Sequence, residues 1–69
     1  MINGKTKSGT KFRTKDGRVV EFVALTNAKF APVIGILDGK YGNWWPNGEY
    51  ALSIVEGAYL VEEIKEDNK

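Results

Sequence analysis

The strongest candidates for ligand binding in this sequence are three aromatic residues that lie close together, Tyr41, Trp44 and Trp45. A flat aromatic ring can stack against a nucleobase, and tryptophan is also enriched at the centre of protein–protein interfaces. Because adjacent residues of a strand point to opposite faces of the sheet, we expect one tryptophan to enter the core. The other then lies outside, either as a stacking platform with Tyr41 at the pocket edge or as a dimer contact.

Basic residues surround the first predicted hairpin, at Lys11, Arg13, Lys15 and Arg18. If residues 11–14 are extended, the side chains of Lys11, Arg13 and Lys15 lie on the face opposite Phe12. Arginine can hold a phosphate through two parallel N–H bonds. These residues, together with Lys40, are therefore a candidate site for a nucleotide or a nucleic-acid backbone. The alternative is a solvated outer face without a ligand.

The composition argues against catalysis. The chain has no histidine and no cysteine, so it lacks the commonest general base, the commonest metal ligand and every histidine-assisted nucleophile. Glu62 and Glu63 are adjacent and diverge in a strand, so they cannot act together on one substrate. Residues 4–11 contain glycines and lysines as a phosphate loop does, but without its residue order, and we expect only loose contact with an anion. We predict a protein that is not an enzyme and uses no cofactor or metal.

The charges are segregated along the chain although the net charge is only +1. Residues 1–20 carry six cations and one carboxylate, a net charge of +5, and residues 21–48 are neutral. Residues 49–69 carry two cations and six carboxylates, a net charge of −4. One interpretation is a basic end that meets an anionic ligand. The other is that the two ends lie side by side in the fold and neutralise each other.

Short apolar or alternating segments separated by turn signals predict an all-β fold. The predicted strands are residues 11–14, 19–26, 33–37, 43–45, 50–55 and 58–64. The turn signals are Asp16-Gly17, for which we predict a type I′ hairpin turn, Asp38-Gly39 and Asn47-Gly48. Gly35 marks a bulge or a barrel corner. The last segment also fits one helical turn, and strand is the preferred assignment.

These elements predict a single domain. Residues 1–10 form a basic N-terminal arm or a loosely held first strand, residues 11–65 form the barrel, and residues 66–69 form a solvated tail. Both faces of residues 19–25 are largely apolar, so we expect the arm, a loop or another copy of the chain to cover the second face. No apolar run reaches the ~20 residues that a membrane helix needs, and we expect a cytoplasmic protein without a membrane partner.

Three segments carry a resemblance to a known group of proteins: Asp16-Gly17-Arg18, Pro32-Val33-Ile34-Gly35 and Trp44-Trp45-Pro46-Asn47-Gly48. Their order between residues 11 and 64 resembles that of small phage and prophage proteins, whose function is mostly unassigned. The resemblance implies a small SH3-like barrel of five or six short strands. It also implies a binding function, since small phage accessory proteins usually act by binding. The doubled tryptophan and the lysine-rich arm depart from that group.

The function predicted from these features is non-catalytic binding. The first hypothesis is sequestration of a small anionic ligand such as a nucleotide signal, as a counter-defence in an infected bacterial host. A base would stack on Trp44 or Trp45, and phosphate would meet cations drawn from Lys11, Arg13, Arg18 and Lys40. Because a deep pocket is hard to form in one barrel of 69 residues, we expect a homo-oligomer with the site between subunits. The alternatives are a nucleic-acid-binding module and a protein-interaction module that inhibits a host factor.

Overall fold

The computed structural model describes residues 1–65, and the predicted tail at 66–69 lies outside the described residues. The strands are β1 (Lys11–Thr14), β2 (Val19–Leu25), β3 (Val33–Leu37), β4 (Lys40–Trp44) and β5 (Leu60–Ile64). They form one antiparallel sheet in the order β4-β3-β2-β1-β5. A 3₁₀ turn, Glu56–Ala58, precedes β5, and residues 1–65 contain no α-helix. The prediction of an all-β fold is confirmed, and the last segment is a strand.

The sheet curls into a barrel-like form because segments next to its two edge strands meet. The backbone N–H of Leu60, at the start of β5, donates to the carbonyl of Gly48, in the turn after β4, at 2.8 Å. A Cβ at position 48 would lie 2.6 Å from the Leu60 carbonyl oxygen, and the φ of Gly48 is +103°. Glycine fits this position because it has no Cβ to clash with the carbonyl and adopts a positive φ without strain. The Asn47-Gly48 turn therefore also closes the barrel.

The core is built from the inward-facing residues of all five strands together with the arm. Its buried members are Ile2, Phe12, Val20, Phe22, Val33, Trp44 and Leu60. A Cβ at Gly35 would lie 2.8 Å from the Val20 side chain and 3.0 Å from the Trp44 ring, so this glycine leaves room for the ring. The bulge predicted at Gly35 lies on the partner strand, where β2 shifts register between Phe22 and Ala24.

The prediction of a type I′ turn at Asp16-Gly17 is wrong, because only Gly17 has a positive φ, +92°. The Gly17 N–H donates to the Thr14 carbonyl at 3.0 Å, and the Thr14 N–H donates to the Arg18 carbonyl at 2.8 Å. These two bonds define a three-residue loop whose last residue is glycine. The connection has one residue too many for the two-residue turn.

The type I′ geometry lies instead at Asp38-Gly39, whose φ values are +55° and +78°. Leu37 and Lys40 pair directly on either side of this turn. Because pairing resumes at once after a two-residue turn, β4 begins at Lys40 and not at residue 43 as predicted.

The prediction of a strand at residues 50–55 is wrong. Only Tyr50 pairs, in an isolated bridge with Trp44, and the chain then turns, with the Val55 N–H donating to the Leu52 carbonyl. Leu52 is 59% exposed and Ile54 is 90% exposed. The segment has a strand-like composition, but it turns away from β4 after one residue and finds no second partner strand.

The N-terminal arm, residues 1–10, is docked on the barrel and is not a strand. Ile2 is 4% exposed, and its backbone N–H donates to the Pro46 carbonyl at 2.9 Å. Two turns follow, in which the N–H of Thr6 donates to the Asn3 carbonyl and that of Thr10 to the Lys7 carbonyl, each at 3.0 Å. Burial of Ile2 therefore anchors the lysines that follow it.

Candidate functional site

The strand directions gather the connecting segments at two ends of the barrel. One end, which we call the arm end, holds residues 1–10, the β2–β3 loop at 26–32, the turn at 45–48 and the last residues of β5. The other, which we call the hairpin end, holds the β1–β2 loop at 15–17, the β3–β4 turn at 38–39 and the 3₁₀ turn. The predicted site residues are divided between these ends and the strands that join them.

Arg18, at the hairpin end, is held by carboxylates of the chain itself. Its guanidinium lies 2.7 Å from Asp16 and 2.9 Å from Asp38. Hydrogen bonds from Arg18 and from Thr14 Oγ1 lower the pKa of Asp16 from 3.8 to about 2. Asp16 and Asp38 in turn raise the pKa of Arg18. An anionic ligand at Arg18 would have to compete with both partners.

The basic N-terminal part of the chain meets the acidic C-terminal part, because β1 and β5 are neighbours in the sheet. Arg13 Nε lies 3.3 Å from the Glu62 carboxylate, and Lys15 Nζ lies 3.4 Å from Glu56. Both pairs are exposed, so each adds little to stability. Mutual neutralisation, the second interpretation of the charge pattern, therefore applies to Arg13 and Lys15.

Four predicted site residues line one open cleft of about 390 Å³ at the hairpin end: Arg18, Lys40, Tyr41 and Trp44. Tyr41 is 76% exposed, as a pocket-edge residue should be. Asp38 also lines the cleft and pairs with Arg18, so the positive charge available to a phosphate is small. The structure brings these residues together, but Asp16 and Asp38 offset the charge of Arg18, which the first hypothesis offers to phosphate.

Trp44 is the tryptophan that enters the core. Its side chain is 0% exposed, and the indole N–H donates to the Ala58 carbonyl at 2.9 Å. The ring also packs against Tyr50, with 5.2 Å between ring centroids. A buried ring has no face to offer a base, so of the two tryptophans offered for stacking only Trp45 stays a candidate.

The arm end carries lysines that form no ion pair with a carboxylate of residues 1–65. Two adjoining open clefts, of about 500 and 320 Å³, share Lys7, Thr10 and Glu63, and together we call them the lysine cleft. The lysines that line it are Lys5, Lys7, Lys11 and Lys65. In residues 1–65, no carboxylate oxygen lies within 4.0 Å of the ammonium groups of Lys5, Lys7 or Lys11.

The backbone of the arm sets the spacing of these lysines. The Gly9 N–H donates to the Phe22 carbonyl at 2.8 Å, and the Phe22 N–H donates to the Thr10 carbonyl at 2.7 Å. Thr10 Oγ1 also donates to the Lys7 carbonyl at 2.6 Å. The segment that lacks the residue order of a phosphate loop thus forms a turn in front of a strand. Lys7 and Lys11 stand on either side of that turn.

Trp45, the second tryptophan, lies at the arm end against Phe30 of the β2–β3 loop. Their ring centroids are 5.3 Å apart, with 78° between the ring planes. Phe30 is 64% exposed, and Trp45 is half-buried. The residue after Trp45 is Pro46, whose carbonyl accepts the hydrogen bond from Ile2. This aromatic pair is therefore linked directly to the arm that carries the lysines.

The sequence-based site included Lys11 and Trp45 but omitted their neighbours at the arm end. The sequence did indicate Lys5 and Lys7, because they belong to the glycine- and lysine-rich stretch at residues 4–11, where loose anion contact is predicted. No sequence pattern indicated Phe30, because its contact with Trp45 joins a loop to a turn 15 positions later in the chain.

Comparisons with protein-family models, with curated proteins and with solved structures found no match for this chain. Residues 1–65 contain no helix that is both long and apolar enough to cross a membrane. Within the same part of the chain, no three carboxylates are grouped as metal ligands would be.

Proposed function

We propose that this chain is a non-catalytic binding protein that holds a phosphate-bearing anion in the lysine cleft. The contrast between the two ends of the barrel supports the proposal. Arg18 and Lys15 contact carboxylates at the hairpin end. The arm lysines instead converge on one cleft, where Glu63 is the one carboxylate among the lining residues that the structure describes. Converging cations raise the local positive potential, which a bound anion relieves.

The resemblance to small phage proteins narrows this proposal to a nucleotide signal, sequestered as a counter-defence in the cytoplasm of an infected bacterium. Lys11 then contacts phosphate, as one of the four cations that the first hypothesis offers for this role. Of the two tryptophans, Trp45 receives the base, because Trp44 is fully buried and Trp45 is only half-buried. Arg13, Arg18 and Lys40 lie outside the lysine cleft and have no role in this version of the proposal.

Isothermal titration calorimetry with inorganic tripolyphosphate and with ATP at low salt tests the proposal. The informative variant is Lys5→Gln/Lys7→Gln, and its matched control is Lys15→Gln/Lys40→Gln, which removes the same charge at and beside the hairpin end. We expect the arm variant to bind roughly tenfold more weakly than the wild type, a loss of about 1.4 kcal/mol. The control should stay within about threefold of the wild type.

Two results would refute the proposal. One is that neither tripolyphosphate nor ATP binds the wild-type protein. The other is that the two double variants lose affinity equally, since the loss would then follow the net charge and not the position of the lysines. Circular dichroism of both variants establishes that the fold is intact.

A further inference from the structure

We infer that the ligand is a single-stranded nucleic acid whose backbone follows the lysine cleft and whose bases stack on Phe30 and Trp45. This inference rests on the proposed binding of a phosphate-bearing anion in the lysine cleft, and it names the ligand class of that site. It replaces a small nucleotide by a polymer, and the contacts of the arm end favour the polymer for three separate reasons.

The first reason is the shape of the lysine cleft. Its two parts adjoin each other along the arm and both open to solvent. Pockets for small molecules usually enclose most of the ligand surface, and neither part does so. An open groove lined by spaced lysines instead suits a chain of phosphates, which needs contact at intervals but no enclosure.

The second reason is the way in which the β2–β3 loop exposes Phe30. The neighbouring Ala31 is 0% exposed and has a φ of +43°, which is unfavourable for alanine. Its carbonyl accepts a hydrogen bond from Asn43 Nδ2 at 3.4 Å. The loop therefore buries the smaller residue in a strained conformation and leaves the larger apolar residue, Phe30, 64% exposed. Such an arrangement is typical of a contact surface.

The third reason is that the aromatic pair and the lysines share one end of the barrel. Trp45 follows β4 and Lys11 begins β1, three strands away in the sheet order. At about 4.8 Å per strand, this separation is roughly 14 Å around the barrel, which a few nucleotides span. Ile2 joins the two parts through its bond to Pro46, and Lys29 precedes Phe30. Aromatic rings beside a basic groove form the usual platform for single strands.

Fluorescence anisotropy with labelled oligo-dT and oligo-U of about 12 nucleotides, within the usual site size of one small barrel, tests this inference across a series of salt concentrations. The base-stacking variant is Phe30→Ser, and its matched control is Tyr41→Ser, an exposed aromatic residue on β4. Lys5→Gln/Lys7→Gln/Lys11→Gln probes the backbone contacts. Intrinsic fluorescence adds a second readout, because Trp45 is half-buried and Trp44 is fully buried.

We expect Phe30→Ser to weaken binding roughly tenfold without changing the salt dependence, and Tyr41→Ser to leave both unchanged. The lysine variant should make the slope of log K against log salt shallower by about 2. Oligonucleotides should quench the tryptophan fluorescence, and duplexes of the same length should bind more weakly because their bases are stacked inside. The tighter of the DNA and RNA oligonucleotides identifies the natural polymer.

Three results would overturn the inference while the proposed function stands: tripolyphosphate binds at the arm lysines but the oligonucleotides bind no tighter, Phe30→Ser and Tyr41→Ser behave alike, or duplex and single strand bind equally. A failure of tripolyphosphate, ATP and the oligonucleotides together would refute both. Binding of a protein through Phe30 with no oligonucleotide binding would assign the aromatic pair to a different partner and would also overturn the inference.

Discussion

At the scale of single residues, Trp44 organises the barrel. Its ring is fully enclosed, its N–H is satisfied by the Ala58 carbonyl, and two glycines leave space for it. A Cβ at Gly35 or at Gly42 would lie 3.0 or 2.9 Å from ring carbons. A buried indole needs both a polar partner and matched space around it, and these residues provide them.

Gly35→Ala should destabilise the protein by about 1–3 kcal/mol, because the added methyl group overpacks the core between Val20 and Trp44. Gly4→Ala is the matched control, since nothing lies within 4 Å of a Cβ at that position. Denaturant unfolding monitored by tryptophan fluorescence measures both variants. Equal stability of the two would show that Gly35 is not needed to accommodate the ring.

Asp16 should make the stability of the fold depend on acid. Its pKa is lowered from 3.8 to about 2 by Arg18 and Thr14, so the folded state favours the ionised carboxylate. The resulting stabilisation is present above about pH 4 and is lost as the pH falls towards 2. Asp16→Asn should therefore be less stable than the wild type at pH 7, and the difference should shrink between pH 4 and pH 2.

Urea unfolding at pH 7, 4 and 2 measures this dependence. Glu49→Gln serves as the control, because Glu49 is an exposed carboxylate that takes no part in the ion pairs of residues 1–65. If the free energies of unfolding of Asp16→Asn and the wild type differ by the same amount at all three pH values, ionisation of Asp16 beside Arg18 does not cause the difference.

At the scale of elements, one apolar side chain buries the start of the arm in the core. Ile2 is its buried apolar anchor, and the Ile2–Pro46 hydrogen bond fixes the arm to the turn at 45–48. The turns that carry Lys5 and Lys7 then follow within a few residues. A lysine-rich segment gains no stability by approaching other cations, so apolar burial must hold it in place.

Ile2→Val should cost about 0.5–1.5 kcal/mol and Ile2→Ala about 2–5 kcal/mol. Because the arm presents the lysine cleft, Ile2→Val should also weaken the binding of tripolyphosphate while the barrel stays folded. Val61→Ala, at a residue that is 52% exposed, is the control and should change the stability by less than about 0.5 kcal/mol. An Ile2→Ala variant as stable as Val61→Ala would mean that the arm does not contribute to the core.

At the scale of the whole molecule, part of the outer face of the sheet is left exposed by residues 1–65. Val19 is 42% exposed, and Val23, Ile34 and Ile36 are half-buried. The arm, which is one of the predicted covers, docks at Pro46 instead. Since apolar surface of this kind is often an interface, association with a second copy of the chain remains our prediction.

Light scattering coupled to size-exclusion chromatography should show a homo-oligomer that dissociates on dilution. Val19→Lys should shift it towards the monomer, because a charge placed in an apolar interface must be desolvated. Val61→Lys, on β5, should leave the assembly unchanged. A strictly monomeric wild-type protein at all concentrations would contradict the prediction and would leave the arm end as a site within a single chain.

The sequence by itself determined the local features of this protein. Alternation around Phe12 and Val20 places β1 and β2, and glycines with a positive φ place the turns, because these signals act between residues that are close in the chain. The wrong strand at 50–55 shows the limit of such signals, since an apolar run pairs only if a partner strand is free. The composition likewise showed, without a structure, that the chain has no histidine or cysteine to act as a general base, a nucleophile or a metal ligand.

Only the tertiary structure decided which of these residues can meet a ligand. Because β1 pairs with β5, Arg13 forms an ion pair with Glu62. Arg18 pairs with Asp16 at the hairpin end, and Trp44 is buried in the core, where no ligand can reach it. The same fold places Phe30 against Trp45 at the end of the barrel that holds the arm lysines. Charge neutralisation and ring exposure depend on neighbours that are distant in the chain, and the order of the strands selects those neighbours.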